Sequence, residues 1–401
     1  MPNAYKDYGD LRVTLTSEFD WRYSDQGSGA KRDGAFWHPK PQENLRPVGS
    51  VVVAGYGNIN NNFAALLVGN AREELGVEPA VRSPVRYQLV WNDQGSGADH
   101  DVGIWQPIPP DGYAALGCVA AGGYGEPSLD DVWCVRLDLV ISGQFEGHST
   151  WDDRGSGADR DGSFWQIFPR VDGTGTGSPT IPVQAGTFWA NQGYGQPNGA
   201  VARVPALRAV PEPLSKNGRP PRLTEAQVPE AGEILNDTLI SVTPLPFTTF
   251  FDPTDRDSLN TIQYPFLDVA KWSTWAVHRT FENLTGAAAV EKTTLEVGVP
   301  PRPEGAVSRA GITLDNTLGF ELARFAISLN YQLGITETAR RWLVKETVEK
   351  TVNIPPYAVV VAWVRRLRVE VRRINGTLVD TGLQPFYLND GVTLTQIDMT
   401  A

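Results

Sequence analysis

The chain has 401 residues, with 35 Lys+Arg against 46 Asp+Glu and a formal net charge of −11. That length exceeds one typical domain, and the acidic balance argues against a nucleic-acid backbone or simple electrostatic docking on anionic lipid. With 40 Gly, 30 Pro and 12 Trp, the composition weighs against a helical protein and for short strands joined by tight turns.

Met1 to Asp10 is polar, without the basic and apolar regions of a signal peptide, and no apolar run reaches the roughly 18 residues of a membrane-spanning helix. The sequence therefore predicts a protein made soluble and released by lysis or a dedicated route. It would act extracellularly and meet a membrane only by surface binding or later insertion. Cys118 and Cys134 are too few for a disulfide scaffold and read as buried free thiols, with one disulfide as the alternative.

The N-terminal half is a threefold repeat. Its copies begin Tyr23-Ser24-Asp25-Gln26-Gly27-Ser28-Gly29-Ala30, Trp91-Asn92-Asp93-Gln94-Gly95-Ser96-Gly97-Ala98 and Trp151-Asp152-Asp153-Arg154-Gly155-Ser156-Gly157-Ala158. Each continues, without a gap, to an Asp (Asp33, Asp101, Asp161) and a Trp (Trp37, Trp105, Trp165). Each then reaches Gly-Tyr-Gly, centred on Tyr56, Tyr124 and Tyr194. The third copy is lengthened by the loop-like Val171–Thr180. Strands are expected before each turn, as in Val85–Trp91, and after each Gly-Tyr-Gly, at Phe63–Val68, Val132–Val140 and Ala200–Val210. Each unit then reads as a small antiparallel sheet of about four strands. Such a sheet cannot bury its own face, but three around a pseudo-threefold axis can, which gives a β-prism.

The second unit, Trp91–Trp105 followed by Pro107-Ile108-Pro109-Pro110-Asp111-Gly112-Tyr113-Ala114-Ala115-Leu116-Gly117, resembles the family related to vacuolar protein sorting-associated protein 62. The resemblance covers roughly residues 10–210. The first and third units lack the full Pro-Asp-Gly-Tyr segment, and the resemblance implies a fold more than an activity.

Two readings of the repeated residues stand side by side. In one, each Asp caps its turn, the glycines supply positive φ and the Trp fills the core. In the other, Asp25, Asp33, Trp37, Asp93, Asp99, Asp101, Trp105, Asp153, Asp159, Asp161 and Trp165 form surface sites for a cell-surface glycan or lipid head group. Asp99 and Asp101, like Asp159 and Asp161, would then supply an oxygen cage for Ca²⁺, although no cofactor is required. Lys31 replaces the corresponding Asp in the first unit. No paired metal-ligand histidines, phosphate-binding loop or Gly-x-Ser-x-Gly elbow occurs, so no enzyme is expected. A glycan hydrolase using the repeated carboxylates is the remote alternative.

Residues 211–249 are rich in proline and charge, and read as a linker or strap between domains 1–210 and 250–401. Trypsin is expected to cut near Arg219–Arg222 and leave a folded N-terminal fragment. Thr224–Glu233 could be one short helix. Further on, Phe266–Phe281 is a helix or a strand with an aromatic face, and Glu291–Val299, Val344–Ile354 and Val359–Ile374 are strands, the last entering an Asn375-Gly376 hairpin turn. Ala323–Ile335 alternates apolar and polar residues, with Phe325, Ile327, Leu329, Tyr331 and Leu333 as candidate lipid-facing residues and Thr285–Val299 as the preferred partner strand. The long strands, Thr351-Val352-Asn353-Ile354-Pro355-Pro356 and the closing Trp363…Arg373-Ile374-Asn375-Gly376 segment are similar to the C-terminal halves of bacterial β-pore-forming and insecticidal-type toxins.

The whole predicts an all-β protein, an N-terminal pseudo-threefold β-prism plus a C-terminal domain of long antiparallel strands. The resemblance implies a pore-forming toxin that binds a surface ligand, assembles as a homo-oligomer and inserts β-hairpins into a membrane. A lectin-like protein with a structural C-terminal domain is the alternative.

Overall fold

The computed structural model describes residues 2–72, 76–145, 147–169, 180–208, 212–213, 220–298, 346–379, 386–387 and 392–399. Residues 323–335, with the candidate lipid-facing side chains Phe325, Ile327, Leu329, Tyr331 and Leu333, lie outside these, as does the insertion 171–179.

Each repeat unit is built on two antiparallel arrays of three strands, rather than one sheet of about four; Lys6–Tyr8 adds a fourth strand to the first unit's outer array, and the third unit's arrays are joined into one sheet. The inner arrays hold Phe19–Ser24, Gly34–Pro39 and Val51–Ala54; Arg86–Asn92, Val102–Ile108 and Val119–Gly122; and Trp151–Asp152, Gly162–Pro169 and Phe188–Gln192. The outer arrays hold Leu11–Thr16, Ala65–Asn70 and Arg46–Pro47; Val81–Arg82, Cys134–Arg136 and Tyr113–Ala114; and Val140–Phe145, Arg203–Arg208 and Thr180–Pro182. Strands of two or three residues carry no readable periodicity, which is why the sequence underestimates them. The expected strand Val132–Val140 is broken by a 3₁₀ turn at Leu137–Leu139. Its first part closes the second unit and Val140 opens the third.

Alternation along the inner strands sends one face to the threefold axis. Tyr23, Trp91 and Trp151 are buried there with ring centroids 5.8 to 6.5 Å apart, flanked by Phe36, Phe164 and Phe188. Each Trp lies over a neighbouring unit's backbone. A Cβ at Gly162 would sit 2.6 Å from Trp91 Cδ1, and one at Gly34 would meet Trp151 as closely. The cyclic order pairs Tyr23 with Val102, where a smaller ring goes with a larger neighbour. Cys118 and Cys134 are free, buried thiols in this core, and burial pushes both up to about 12.

The three Gly-Ser-Gly turns close a ring. Asp99 N–H donates to Gln26 O (2.9 Å), Asp159 N–H to Gln94 O (2.7 Å) and Lys31 N–H to Arg154 O (2.8 Å). The second turn bonds to the first, the third to the second and the first to the third.

The C-terminal half is built on a seven-stranded sheet. Glu212–Pro213, Ile234–Pro246, Phe266–Asn283 and Ala358–Arg372 succeed one another, and Leu378–Val379, Phe386–Tyr387 and Thr393–Asp398 pair along the outer edge of Ala358–Arg372. Phe266–Asn283 is thus a strand, 18 residues long. Within the expected linker or strap 211–249, the stretch Ile234–Pro246 is a strand paired along Phe266–Ala276, and its Leu245 belongs to the same core as Tyr8, Leu11, Val13 and Leu367. The helix expected in 224–233 is one 3₁₀ turn, Glu225–Gln227.

Ala289–Val297 and Glu346–Ile354 form a separate two-stranded sheet. The expected pairing of Thr285–Val299 with 323–335 falls on residues outside the described ones. Leu295, Val297, Val352 and Ile354 are buried on Ala276, Phe281, Val360, Ala362 and Val364. Val359, Val361 and Trp363 point the other way, into a second cluster with Val277 and Ile397. Cover on both faces explains the unbroken apolar run there. No helix among the described residues is long and apolar enough to cross a membrane.

Three outcomes follow from this packing. Gly162→Val should destabilise the protein by about 1–3 kcal/mol by overpacking. Trp91→Tyr in the same chain, reproducing the Tyr23–Val102 pairing, should recover part of that loss in a double-mutant cycle of urea melts.

Cleavage after the exposed Arg222 should leave two fragments that co-elute in native gel filtration, because one apolar core spans both halves. Separation into a folded N-terminal fragment would contradict this.

The third concerns His38, which is buried, donates Nε2–H to Asp131 O (3.2 Å) and accepts the Ser50 hydroxyl at Nδ1 (2.9 Å). Burial lowers its pKa from 6.5 to about 4. The neutral ring's contribution is complete above pH 6.5 and is lost as pH falls toward 4, about 3 kcal/mol in all. Melts of His38→Gln should show a shallower slope across that window.

Candidate functional site

The loop that joins the first two inner strands of each unit is held by its repeated Asp. Asp25 Oδ1 accepts the N–H of Gly34 (2.8 Å), Asp93 Oδ1 that of Val102 (2.8 Å) and Asp153 Oδ1 that of Gly162 (3.0 Å). All three carboxylates are 2–3% exposed. Gly27, Gly95 and Gly155, at φ of +86, +86 and +91°, turn the chain in a region that disfavours other residues. The turn-capping reading describes these three Asp residues, and their place as surface ligands is corrected.

The tryptophans are corrected likewise. Trp37 and Trp165 are buried and Trp105 is half-buried, so none offers an open plate. They fill the outward side of the inner strands, one residue out of phase with Phe36, Ile104 and Phe164. Trp165 Nε1 donates to Ser163 Oγ (2.9 Å). Trp37 Nε1 and Trp105 Nε1 have no partner, because Ala35 and Gly103 stand in the place of Ser163.

The residues that the sequence reading passed over are the tyrosines of the Gly-Tyr-Gly turns. Tyr56 O–H donates to Asp33 (3.0 Å), Tyr124 O–H to Asp101 (3.0 Å) and Tyr194 O–H to Asp161 (2.8 Å). Asp33, Asp101 and Asp161 are exposed. Each hydroxyl also lies near the buried Asp of its unit. Partial desolvation and the two carboxylates hold the three phenols well above the usual tyrosine range. Burial raises the carboxyls of Asp25, Asp93 and Asp153, the loop N–H groups oppose this, and the neighbouring exposed Asp adds to it. Every unit thus presents a phenol ring backed by two carboxylates. Its recurrence was the signal available in the sequence; its chemistry appears only once the fold joins the two turns.

Asp99 and Asp159 face elsewhere. Asp99 lies against the Gly27 turn of the first unit and Asp159 against the Gly95 turn of the second, where a Cβ would come 2.8 and 2.7 Å from their Oδ1 atoms. Asp101 and Asp161 are engaged by the tyrosines of their own units. Asp99/Asp101 and Asp159/Asp161 are therefore not assembled as a Ca²⁺ cage, and no His, Cys, Asp or Glu group of three or more suited to a metal occurs among the described residues.

The three platforms differ in one respect. Tyr56 and Tyr124 are 38% and 39% exposed. Over Tyr194 stands the Arg154 guanidinium, 4.2 Å from the ring centroid. It is held by Asp152 (3.0 Å), a buried carboxylate that also binds Arg32 of the first unit. The first unit has Ser24 and Gln26 at the positions of Asp152 and Arg154, and the second has Asn92 and Gln94. Two platforms are open and the third carries a built-in cation.

Among solved structures, GNIP1Aa from Chromobacterium piscinae is similar at 28% identity with a TM-score of 0.38, over 47% of this chain and 35% of that one. The chain thus spans about a third of the length of that relative. Cry35Ab1 is similar at 10% identity with a TM-score of 0.33, over 98% of this chain and 90% of that one. No curated protein matches. Residues 6–219 match the family model described as vacuolar protein sorting-associated protein 62, and the chain belongs to that family.

Proposed function

We propose that this chain is a toxin-like, non-enzymatic protein. Its threefold module, a β-prism in outline, binds a cell-surface glycan or lipid head group, and its C-terminal half, assembled as a homo-oligomer, acts on the membrane with β-strands. The observation that carries the reading is the platform set: one Tyr–Asp pair recurs three times at one end of the module, open in two units and capped by Arg154 in the third. An aromatic ring beside a carboxylate offers both a stacking face and a hydrogen-bond acceptor. Two such sites on one rigid module add avidity to individually weak contacts. A non-enzymatic role is supported by the commitments of the carboxylates, three to backbone N–H groups and three to tyrosine hydroxyls.

Support for membrane action comes from the hairpin of Ala289–Val297 and Glu346–Ile354. One face is buried on the long sheet; the other is polar, with Lys292 paired to Glu349 at 2.7 Å. A second reading, a lectin-like protein with a structural C-terminal half, is favoured by Glu291, Lys350 and Glu346 on the hairpin's sheet-facing side, since a lysine at bilayer depth costs roughly 2–4 kcal/mol.

The test transplants the third unit's closure. Asn92→Asp with Gln94→Arg recreates Asp152 and Arg154, with Arg160 standing where Arg32 stands; Ser24→Asp with Gln26→Arg recreates the Asp–Arg pair in the first unit, where His100 holds the position of Arg32. The four substitutions should abolish binding to glycan arrays and to cell-lipid vesicles with an unchanged melting temperature; unchanged binding would contradict the platform reading. Dye release from vesicles that the wild type binds supports membrane action, and binding without release leaves the lectin-like reading.

A further inference from the structure

The third platform shows what its siblings lack. Arg154 places a delocalised cation over the Tyr194 ring, beside Asp161 and Asp153. The first and second platforms keep the ring and both carboxylates. Among the described residues no basic side chain pairs with Asp33 or Asp101, and none lies over Tyr56 or Tyr124. A phenol face backed by two carboxylates attracts a cation through the ring quadrupole and through net charge.

The kind of cation follows from position 152. Arg154 is anchored by hydrogen bonds to the buried Asp152 carboxylate, which a guanidinium needs because its N–H groups must be satisfied. Ser24 and Asn92 supply no such carboxylate. A quaternary ammonium has no N–H to satisfy and needs only an aromatic face and negative charge. We propose, resting on the recognition reading above, that the open platforms at Tyr56/Asp33 and Tyr124/Asp101 bind the quaternary ammonium of a choline head group, and that Arg154 is a built-in occupant of the third. This also accounts for membrane recognition by a chain of net charge −11. A zwitterionic choline lipid presents its cation outward, and an anionic surface would repel the protein.

The full-length protein is titrated with tetramethylammonium, phosphocholine and guanidinium by NMR, and sedimented with phosphatidylcholine or phosphatidylglycerol vesicles. The expected result is binding of tetramethylammonium and phosphocholine at two sites, with resonance shifts at Tyr56 and Tyr124, and sedimentation with phosphatidylcholine only. The closure variant S24D/Q26R/N92D/Q94R should lose vesicle binding altogether, and closing either platform alone should weaken it by on the order of 100-fold, the avidity of two linked sites. Phosphocholine binding without vesicle binding would retain the cation and make its source a free choline compound. Tighter binding of guanidinium than of tetramethylammonium would overturn the choline assignment in favour of an arginine-bearing partner. If no cation binds while the closure variant still loses its glycan or vesicle ligand, the cation inference fails and the recognition reading survives. If the variant binds every ligand like the wild type, both fail.

Discussion

Three backbone hydrogen bonds, from Asp99 to Gln26, Asp159 to Gln94 and Lys31 to Arg154, tie the turns of the repeat into a closed ring, and the rest of the N-terminal module depends on it. No unit can make its bond alone, because each turn donates to one neighbour and accepts from the other. Closure sets the spacing that lets Trp151 lie over Gly34 and Trp91 over Gly162, and it fixes the loops from which the exposed Asp of each platform projects. The buried Asp25, Asp93 and Asp153 serve the same end. Each locks its loop into a shape that presents N–H and C=O groups to the next unit.

Within that ring the units have diverged in compensating pairs. Where the axial ring is Trp the neighbour is Gly; where it is Tyr, the neighbour is Val102. Where position 152 is a carboxylate, Arg154 is held over the tyrosine; where it is Ser24 or Asn92, the tyrosine is open. The first difference concerns packing and leaves the surface unchanged. The second alters the charge and access of a platform, so it bears on the recognition proposed for it.

The threefold organisation was legible because the repeated turns and Gly-Tyr-Gly segments align directly, and the long C-terminal strands because their alternation is strong. Two kinds of feature were not. Strands as short as Tyr113–Ala114 and Arg46–Pro47 have no period to read, so the outer arrays, expected only at Phe63–Val68, Val132–Val140 and Ala200–Val210, were incomplete. Burial also cannot be assigned to a polar residue from spacing alone. Asp25 and Asp33 look equivalent in sequence, yet one is sealed by the Gly34 N–H and the other is exposed beside Tyr56. The strand Ile234–Pro246 was hidden by Pro244, Pro246 and Asp237, which an edge position tolerates where its partner on one side is the two-residue Glu212–Pro213. Its Leu245 joins the core beneath the N-terminal module, so the presumed spacer is part of the joint between the halves.

The central claim is that the ring is closed in solution. Amide hydrogen exchange of Lys31, Asp99 and Asp159 tests it directly, because the side chains of these residues are exposed and their N–H groups would otherwise exchange as fast as those of any surface turn. The account predicts that all three amides are protected together and exchange only with unfolding of the aromatic core around Trp91 and Trp151. Rapid exchange at any one of them, with the core still protected, would mean that the ring is open and would contradict it.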